Sequence, residues 1–168
     1  MPQLRIITCV TNAGGVGPGH TALWIDNTIY SFEQMTSANA WLVQSFSTYI
    51  NNDTNKGRPV IAQTLNSNVN AQTVLDSVRA EAAEWFEQYS ATNVCSMRAS
   101  ANLDAGASSG FDPSGFDTPY KVYWLAWNKH YVGSERCVWQ NRAGDYESKR
   151  QKLLADYQFD IDSVSWSW

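Results

Sequence analysis

A short β-hairpin centred on Asp26-Asn27 is the most tightly specified structure in this sequence. These two residues stand between two runs that are rich in β-branched and aromatic side chains. Aspartate and asparagine tolerate the positive backbone angles that a two-residue hairpin turn demands. The sequence therefore predicts strands over 20–25 and 28–33. Their pairing is strongly constrained, because a slip of one residue would move every side chain to the opposite face of the sheet.

The predicted pairing places His20 opposite Glu33. Directly opposed side chains share one face of the sheet, with Cβ atoms about 4.5–5.5 Å apart. A glutamate in that position can accept the ring N–H of His20, which fixes the tautomer of the imidazole and stabilises its protonated form. A turn longer by one residue would bring Ser31 or Gln34 beside the histidine instead. The alternative is that His20 and Glu33 form an ordinary polar pair without chemistry.

A cysteine at the start of a helix is the second candidate for chemistry. Cys95 follows a short polar break and opens a segment with helical character. The N–H groups and the dipole of a helix N-terminus favour the thiolate, and the same groups can hold an oxyanion. Asn93 is a candidate helix cap or additional oxyanion donor. The alternative is a buried structural cysteine, although Asn93, Ser96, Arg98 and Ser100 near it are polar.

The remaining elements follow from hydrophobic periodicity and from capping residues. Asn70 is a favourable N-cap for an amphipathic helix. Gly106 stands where a left-handed C-terminal residue would end the helix that carries the cysteine. The run over 122–127 fits either a strand or a helix opened by Thr118-Pro119. The other predicted elements are strands over 4–10 and 58–65, one helical turn around 38–46, and helices over 71–89, from Val94 or Cys95 to Ala105, and over 143–157.

Composition limits the classes of function. The chain has 168 residues and 43% hydrophobic residues, which suits a single domain over 1–168. Its net charge of -4 argues against a nucleic-acid partner. No apolar run approaches the roughly 18 residues of a transmembrane helix. The first residues lack the apolar core of a signal peptide, so export, if it occurs, is expected to use another route.

The spacing of cysteines and histidines argues against a metal site. The cysteines are Cys9, Cys95 and Cys137, without a CxxC motif, and the histidines are far apart in sequence. We therefore expect no structural zinc and no cofactor. Cys9 and Cys137 are candidates for structural roles, and a disulfide between them is an alternative in an oxidising compartment. His130 is expected to be solvated rather than to act as a base.

Two segments together resemble the circularly permuted papain-like proteins, which are relatives of the NlpC-type peptidases. Residues 19–33 resemble the family's block of Gly-His, strand, turn and strand, and residues 89–106 resemble its cysteine-bearing helix. The strand and the amphipathic helix between them fall in the family's order. The resemblance covers 4–107 and leaves 108–168 unassigned. It implies an α+β, permuted papain-like fold in which an antiparallel sheet packs on the helix bearing Cys95.

The same resemblance implies a cysteine hydrolase. Cys95 would attack a carbonyl carbon, His20 would transfer the proton, and Glu33 would orient the histidine. Similar small permuted domains are toxins exported by bacterial secretion systems, with peptidoglycan stem peptides as their target. The implied protein is an amidase or endopeptidase made in the bacterial cytoplasm and exported by a dedicated system to a target-cell periplasm. An immunity protein that covers the cleft is the implied partner.

Two other functions remain open at this point. A lipid acyltransferase or thioesterase could use the same fold, with residues 120–127 as its membrane-facing segment. A non-catalytic module could bind glycans through some of the eight tryptophans. Most of these tryptophans, including Trp24 and Trp85, fall at periodic apolar positions, which favours packing in the core.

Overall fold

The protein is built on one β-sheet, seen in a computed structural model that describes residues 1–9, 19–33, 39–51, 60–84, 90, 93–108, 110–111, 118–138 and 163–164. The strands are β1 (Leu4–Cys9), β2 (His20–Ile25), β3 (Thr28–Phe32), β4 (Trp41–Ser45), β5 (Val60–Leu65), β6 (Val132–Val138) and β7 (Ser163–Val164). The helices are α1 (Phe46–Asn51), α2 (Ala71–Ala83), α3 (Cys95–Gly106) and α4 (Pro119–Asn128). The strand order is β4-β3-β2-β1-β5-β6-β7. The first six strands pair antiparallel, and β7 pairs parallel with β6. The described elements thus give an α+β fold.

The predicted hairpin and its register are confirmed. Ile25 pairs with Thr28, and the pairing continues without a slip toward the interior of the strands. Asp26 takes a φ of 52° in the turn, as the residue type allows. Its carboxylate Oδ1 accepts the backbone N–H of Gln3 at 2.8 Å, which ties the turn to the chain that enters β1. The second strand ends one residue before the predicted Glu33.

Two hydrophobic clusters cover the two faces of the sheet. Leu23 and Ile25 face the cluster formed with α2, α3 and α4, whereas Ala22 and Trp24 face the cluster formed with α1. This alternation is the period of two that a strand imposes on its side chains. The Trp24 ring stacks on Phe46 of α1 with centroids 4.0 Å apart. The predicted core position of Trp24 is therefore confirmed.

Helix α2 begins as predicted and ends early. Asn70 accepts the N–H groups of Gln72 and Thr73 through Oδ1, both at 3.1 Å, which confirms it as the N-cap. The prediction that the helix continues to residue 89 is wrong at Glu84, which has an extended backbone. Residues 85–89 lie outside the described part of the chain. Hydrophobic periodicity continues across this point in the sequence, so it did not mark the end of the helix.

Gly106 has a different role from the one we expected. It is the last residue of α3 and does not adopt the left-handed conformation of a C-terminal stop. A Cβ at this position would lie 2.5 Å from Cγ2 of Val74 and 2.6 Å from the carbonyl oxygen of Asn70. Glycine is needed here because α2 and α3 come into direct contact.

Helix α4 resolves the ambiguity of the 122–127 segment in favour of a helix. Thr118 caps it by accepting the N–H of Lys121 at 3.2 Å, and Pro119 occupies its first position. Its Trp124 and Trp127 are 40% and 42% exposed, unlike the buried Trp24. No helix within the described residues is long and apolar enough to span a membrane.

The helical turn that we expected around residues 38–46 is wrong for most of its length. Residues 41–45 form β4, which pairs with β3 at the edge of the sheet, and α1 begins only at Phe46. Pairing with β3 overrides the weak local preference of this Ser- and Asn-rich segment. The predicted helix over 143–157 lies outside the described residues.

Candidate active site

Cys95 is the first residue of α3 and is 5% exposed. Val94 occupies the N-cap position, and no side chain among the described residues caps this helix. Asn93 instead uses Oδ1 to accept Nε of Arg98 at 2.5 Å, so the prediction that Asn93 is the cap is wrong. Its role as an oxyanion donor stays a prediction. The uncapped N–H groups and the helix dipole favour negative charge on the sulfur.

Strands β2 and β3 separate at the end of the sheet that lies near the N-terminus of α3. The β2–β3 ladder runs from the turn to Leu23 and Tyr30 and stops there, while β2 stays paired with β1 and β3 with β4. With a two-residue turn, Ile25 and every second residue before it point their N–H groups toward the partner strand. The N–H of Thr21 therefore points into the opening, where it donates to the sulfur of Cys95.

The side chain of His20 lies at the same end of the sheet and is 14% exposed. Its Nε2 is 3.1 Å from Oε2 of Glu33 and 2.7 Å from Oγ of Ser31. The Ser31 hydroxyl donates to the same Glu33 oxygen at 2.9 Å. The structure thus brings His20 together with Glu33 and also with Ser31, which we had expected only as an alternative. Gln34 lies outside the described residues.

The pKa values of Cys95 and His20 move in opposite directions. Burial alone would lower the pKa of His20, but the Cys95 thiolate, its hydrogen bond and that of Glu33 raise it to about 10. Burial alone would raise the pKa of Cys95, but the charge and hydrogen bond of His20 and the backbone N–H groups of Thr21 and Ser96 lower it. Both directions favour the proton on the imidazole, that is, a resting pair of thiolate and imidazolium.

The geometry distinguishes the two nitrogens of the His20 ring. An unprotonated Nε2 and the carboxylate of Glu33 would be two acceptors 3.1 Å apart, which repel each other. Nε2 therefore carries a proton that points to Glu33 and Ser31. Nδ1 remains for the hydrogen bond with Cys95. Proton transfer between sulfur and ring thus uses Nδ1, while Nε2 stays protonated.

We expected structural roles for Cys9 and Cys137 and a solvated position for His130. Cys9 is buried and is a thiol rather than half of a disulfide, and the side chain of Cys137 is outside the described residues. His130 is exposed after the end of α4, as expected. Within the described residues, no group of three or more His, Cys, Asp or Glu side chains is placed to hold a metal ion.

Two features of the site were not found from the sequence. The N–H of Thr21 is a backbone group whose direction depends on where the β2–β3 ladder stops. The joint contact of Ser31 and Glu33 with His20 could have been found, because residues two apart on a strand share a face.

Comparisons with protein-family models, with curated proteins and with solved structures found no match to this chain.

Proposed function

We propose that this chain is a cysteine hydrolase of the permuted papain-like class, cleaving an amide bond through a thioester intermediate. The observation that carries the proposal is the sulfur of Cys95 hydrogen-bonded to His20, whose other ring nitrogen is held by Glu33 and Ser31. A nucleophile, a base and groups that orient the base are the parts that covalent hydrolysis needs. The packing of α3 on β2 and β3 of an antiparallel sheet supports the fold assignment.

Acylation begins with the Cys95 thiolate, which attacks the carbonyl carbon of the substrate. The N–H groups of Thr21 and Ser96 donate to the sulfur in the resting site, so they lie close to the oxygen that gains negative charge. The imidazolium of His20 then donates its Nδ1 proton to the leaving nitrogen as the C–N bond breaks. The products of this step are a free amine and a thioester on Cys95.

Deacylation reverses the role of His20. The ring is now neutral, with its remaining proton on Nε2, where Glu33 and Ser31 hold it. Nδ1 takes a proton from a water molecule, whose oxygen attacks the thioester carbon. The carbon–sulfur bond breaks, a carboxylic acid leaves, and the thiolate and imidazolium are restored.

For the substrate, we propose stem peptides of peptidoglycan, which the resemblance of residues 19–33 and 89–106 to permuted NlpC-type peptidases favours. By the same resemblance, the protein acts as an antibacterial effector exported to the periplasm of a target cell, where an immunity protein binds it. The negative net charge fits a substrate other than nucleic acid.

The test is the release of new amino termini from purified peptidoglycan, measured by amine labelling and mass spectrometry. We expect release with the wild-type chain and none with Cys95→Ala. Cys137→Ser is the matched control, because it removes a thiol that has no part in the proposed chemistry. Release that persists in Cys95→Ala, or none with the wild type on any amide substrate, would refute the proposal.

A second candidate function is binding of glycans by a non-catalytic module. Trp124 and Trp127 favour it, because both indoles are exposed on α4. The indole N–H of Trp127 is fixed by bonds to Glu135 Oε2 at 2.8 Å and to the Tyr123 hydroxyl at 2.9 Å. Pelleting with insoluble peptidoglycan separates the candidates: binding through this surface is lost in Trp124→Ala and retained in Cys95→Ala.

A further inference from the structure

A buried tyrosine and a buried cysteine lie beneath the histidine of the candidate site. Tyr49 of α1 and Cys9 of β1 are both fully buried, and the Tyr49 hydroxyl is 3.3 Å from the Cys9 sulfur. The same hydroxyl is hydrogen-bonded to the side chain of Ser31. Cys9 pairs directly with His20 across the β1–β2 ladder. These groups therefore form a second layer behind His20, on the face of the sheet that α1 covers.

The number of protons in this layer fixes the direction of its hydrogen bonds. The Ser31 hydroxyl has one proton, which it donates to Glu33, and two lone pairs that can accept. The Nε2–H of His20 points to one of them at 2.7 Å. The other accepts the Tyr49 hydroxyl. Since the proton of Tyr49 is used in this bond, the thiol of Cys9 is the donor toward the Tyr49 oxygen.

We propose that Tyr49 is a positioning residue, acting through Ser31 to hold the neutral His20 ring with its proton on Nε2 and its lone pair on Nδ1. The inference deepens the proposed function, on which it rests, because deacylation needs that lone pair to take a proton from water. Tyr49 satisfies the second lone pair of Ser31, so the serine proton stays directed at Glu33. Glu33 and Ser31 can then both accept the hydrogen bond from Nε2–H of His20.

The surroundings of Tyr49 keep its hydroxyl a donor. Burial raises the pKa of Tyr49 well above its usual value, and the neighbouring Cys9 and Glu33 raise it further, which outweighs the lowering by the hydrogen bond with Ser31. The phenol therefore remains protonated throughout the range in which the thiolate and imidazolium coexist. A buried hydroxyl is also costly to leave without partners. Its placement between Cys9 and Ser31 satisfies that requirement.

The test is Tyr49→Phe, which removes the hydroxyl and keeps the ring. The first measurement is the rate of Cys95 alkylation by iodoacetamide as a function of pH. Because the imidazolium of His20 is less well stabilised, we expect the pH midpoint of Cys95 alkylation to rise. The alkylation rate below that midpoint should fall about three- to tenfold. The second measurement is the pair of ¹⁵N chemical shifts of the His20 ring in a Cys95→Ala background. It is made at a pH at which the ring is neutral. We expect these shifts to change from a single Nε2–H tautomer to a mixture.

Tyr30→Phe is the matched control. Tyr30 is also buried, lies on β3 and bonds Arg79 on the opposite face of the sheet, so it should change neither measurement. In a Ser31→Ala background the effect of Tyr49→Phe on the midpoint should vanish, since Tyr49 acts through the serine. An unchanged midpoint and tautomer in Tyr49→Phe, or an effect that persists without Ser31, would overturn the inference.

Two further outcomes separate the positioning role of Tyr49 from the proposed hydrolase function. If Tyr49→Phe is too unstable to assay, Cys9→Ala removes the donor behind Tyr49 and should raise the Cys95 midpoint in the same direction; an unchanged midpoint there overturns the inference. If the wild type cleaves no amide substrate while Tyr49→Phe still changes the tautomer, the proposed function fails and the positioning role stands.

Discussion

Replacing Glu33 with glutamine tests whether the carboxylate of this residue controls the charge state of the site. Glu33→Gln keeps the size of the side chain and an oxygen that can accept the Nε2 proton of His20. It removes the negative charge that lies 3.1 Å from that nitrogen. Both side chains are mostly buried, with 14% and 18% exposed, so solvent screens the interaction only in part.

The size of the effect follows from the kind of hydrogen bond that is lost. A bond to a charged group contributes about 1.5–3 kcal/mol, and a neutral bond about 0.5–1.5 kcal/mol. The difference of about 1–1.5 kcal/mol acts on the imidazolium and not on the neutral ring. Since about 1.4 kcal/mol corresponds to one pKa unit, the pKa of His20 should fall by about one unit. The pKa of Cys95, which the imidazolium lowers, should rise.

The assay is the rate of Cys95 alkylation by iodoacetamide between pH 4 and pH 10, with each thiol followed by peptide mass spectrometry. Glu135→Gln is the matched control, because Glu135 is also partly buried and accepts the Tyr123 hydroxyl at 2.9 Å, but on β6. We expect the Cys95 midpoint to rise in Glu33→Gln and to stay unchanged in Glu135→Gln. A midpoint that does not move in Glu33→Gln, or moves equally in both variants, would contradict a role of the Glu33 charge in stabilising the imidazolium.

Two further predictions concern stability. Gly106→Ala should lower the free energy of unfolding by about 1–3 kcal/mol, because its Cβ would lie 2.5 Å from Val74. In Gly133→Ala the nearest atoms are at 3.5 Å or more, so denaturant titration should show a much smaller change. The ion pair should also make stability depend on pH. The raised pKa of His20 gives stabilisation that is lost as pH rises from its unfolded value of 6.5 through about 10, and the lowered pKa of Cys95 gives stabilisation that is lost as pH falls below its unfolded value of 9.0. The two slopes have opposite signs between pH 6.5 and 9.0, and above pH 9.0 only the His20 slope remains. The difference in unfolding free energy between wild type and Cys95→Ala should therefore fall as pH rises above 9.0; a difference that stays flat or increases there would contradict the assignment.

The parts of the fold that follow from local chemistry could be predicted from the sequence. The turn at Asp26 and the cap at Asn70 depend on side chains that bond or relax their own backbone, and both were found. The role of Gly106 was not, because it depends on the approach of α2. The end of the second helix at Ala83 was also missed, since the apolar spacing continues past it.

The candidate site divides in the same way. The side chains of His20 and Glu33 meet as the register of the turn predicts, although the β2–β3 ladder ends at Leu23 and Tyr30 before it reaches them. Cys95 was identified from its position at a helix start. Tyr49 was not identified, because it lies on another element and reaches the site only when α1 packs under β1. Hydrophobic patterning marks such a tyrosine as a core residue and gives no sign of its hydroxyl.

The length of the turn between β2 and β3 affects how the groups around His20 are arranged. Two residues between β2 and β3 place Thr21 among the residues whose N–H groups point toward β3. They also place His20, Ser31 and Glu33 on the opposite face from Leu23, over the layer that contains Tyr49. Where β3 leaves β2, Thr21 donates to Cys95 instead of to a strand. Because β2 stays paired with β1, an insertion in this turn would leave Thr21 and His20 in place and would shift Ser31 and Glu33 relative to the histidine, so the turn length determines which groups hold the base.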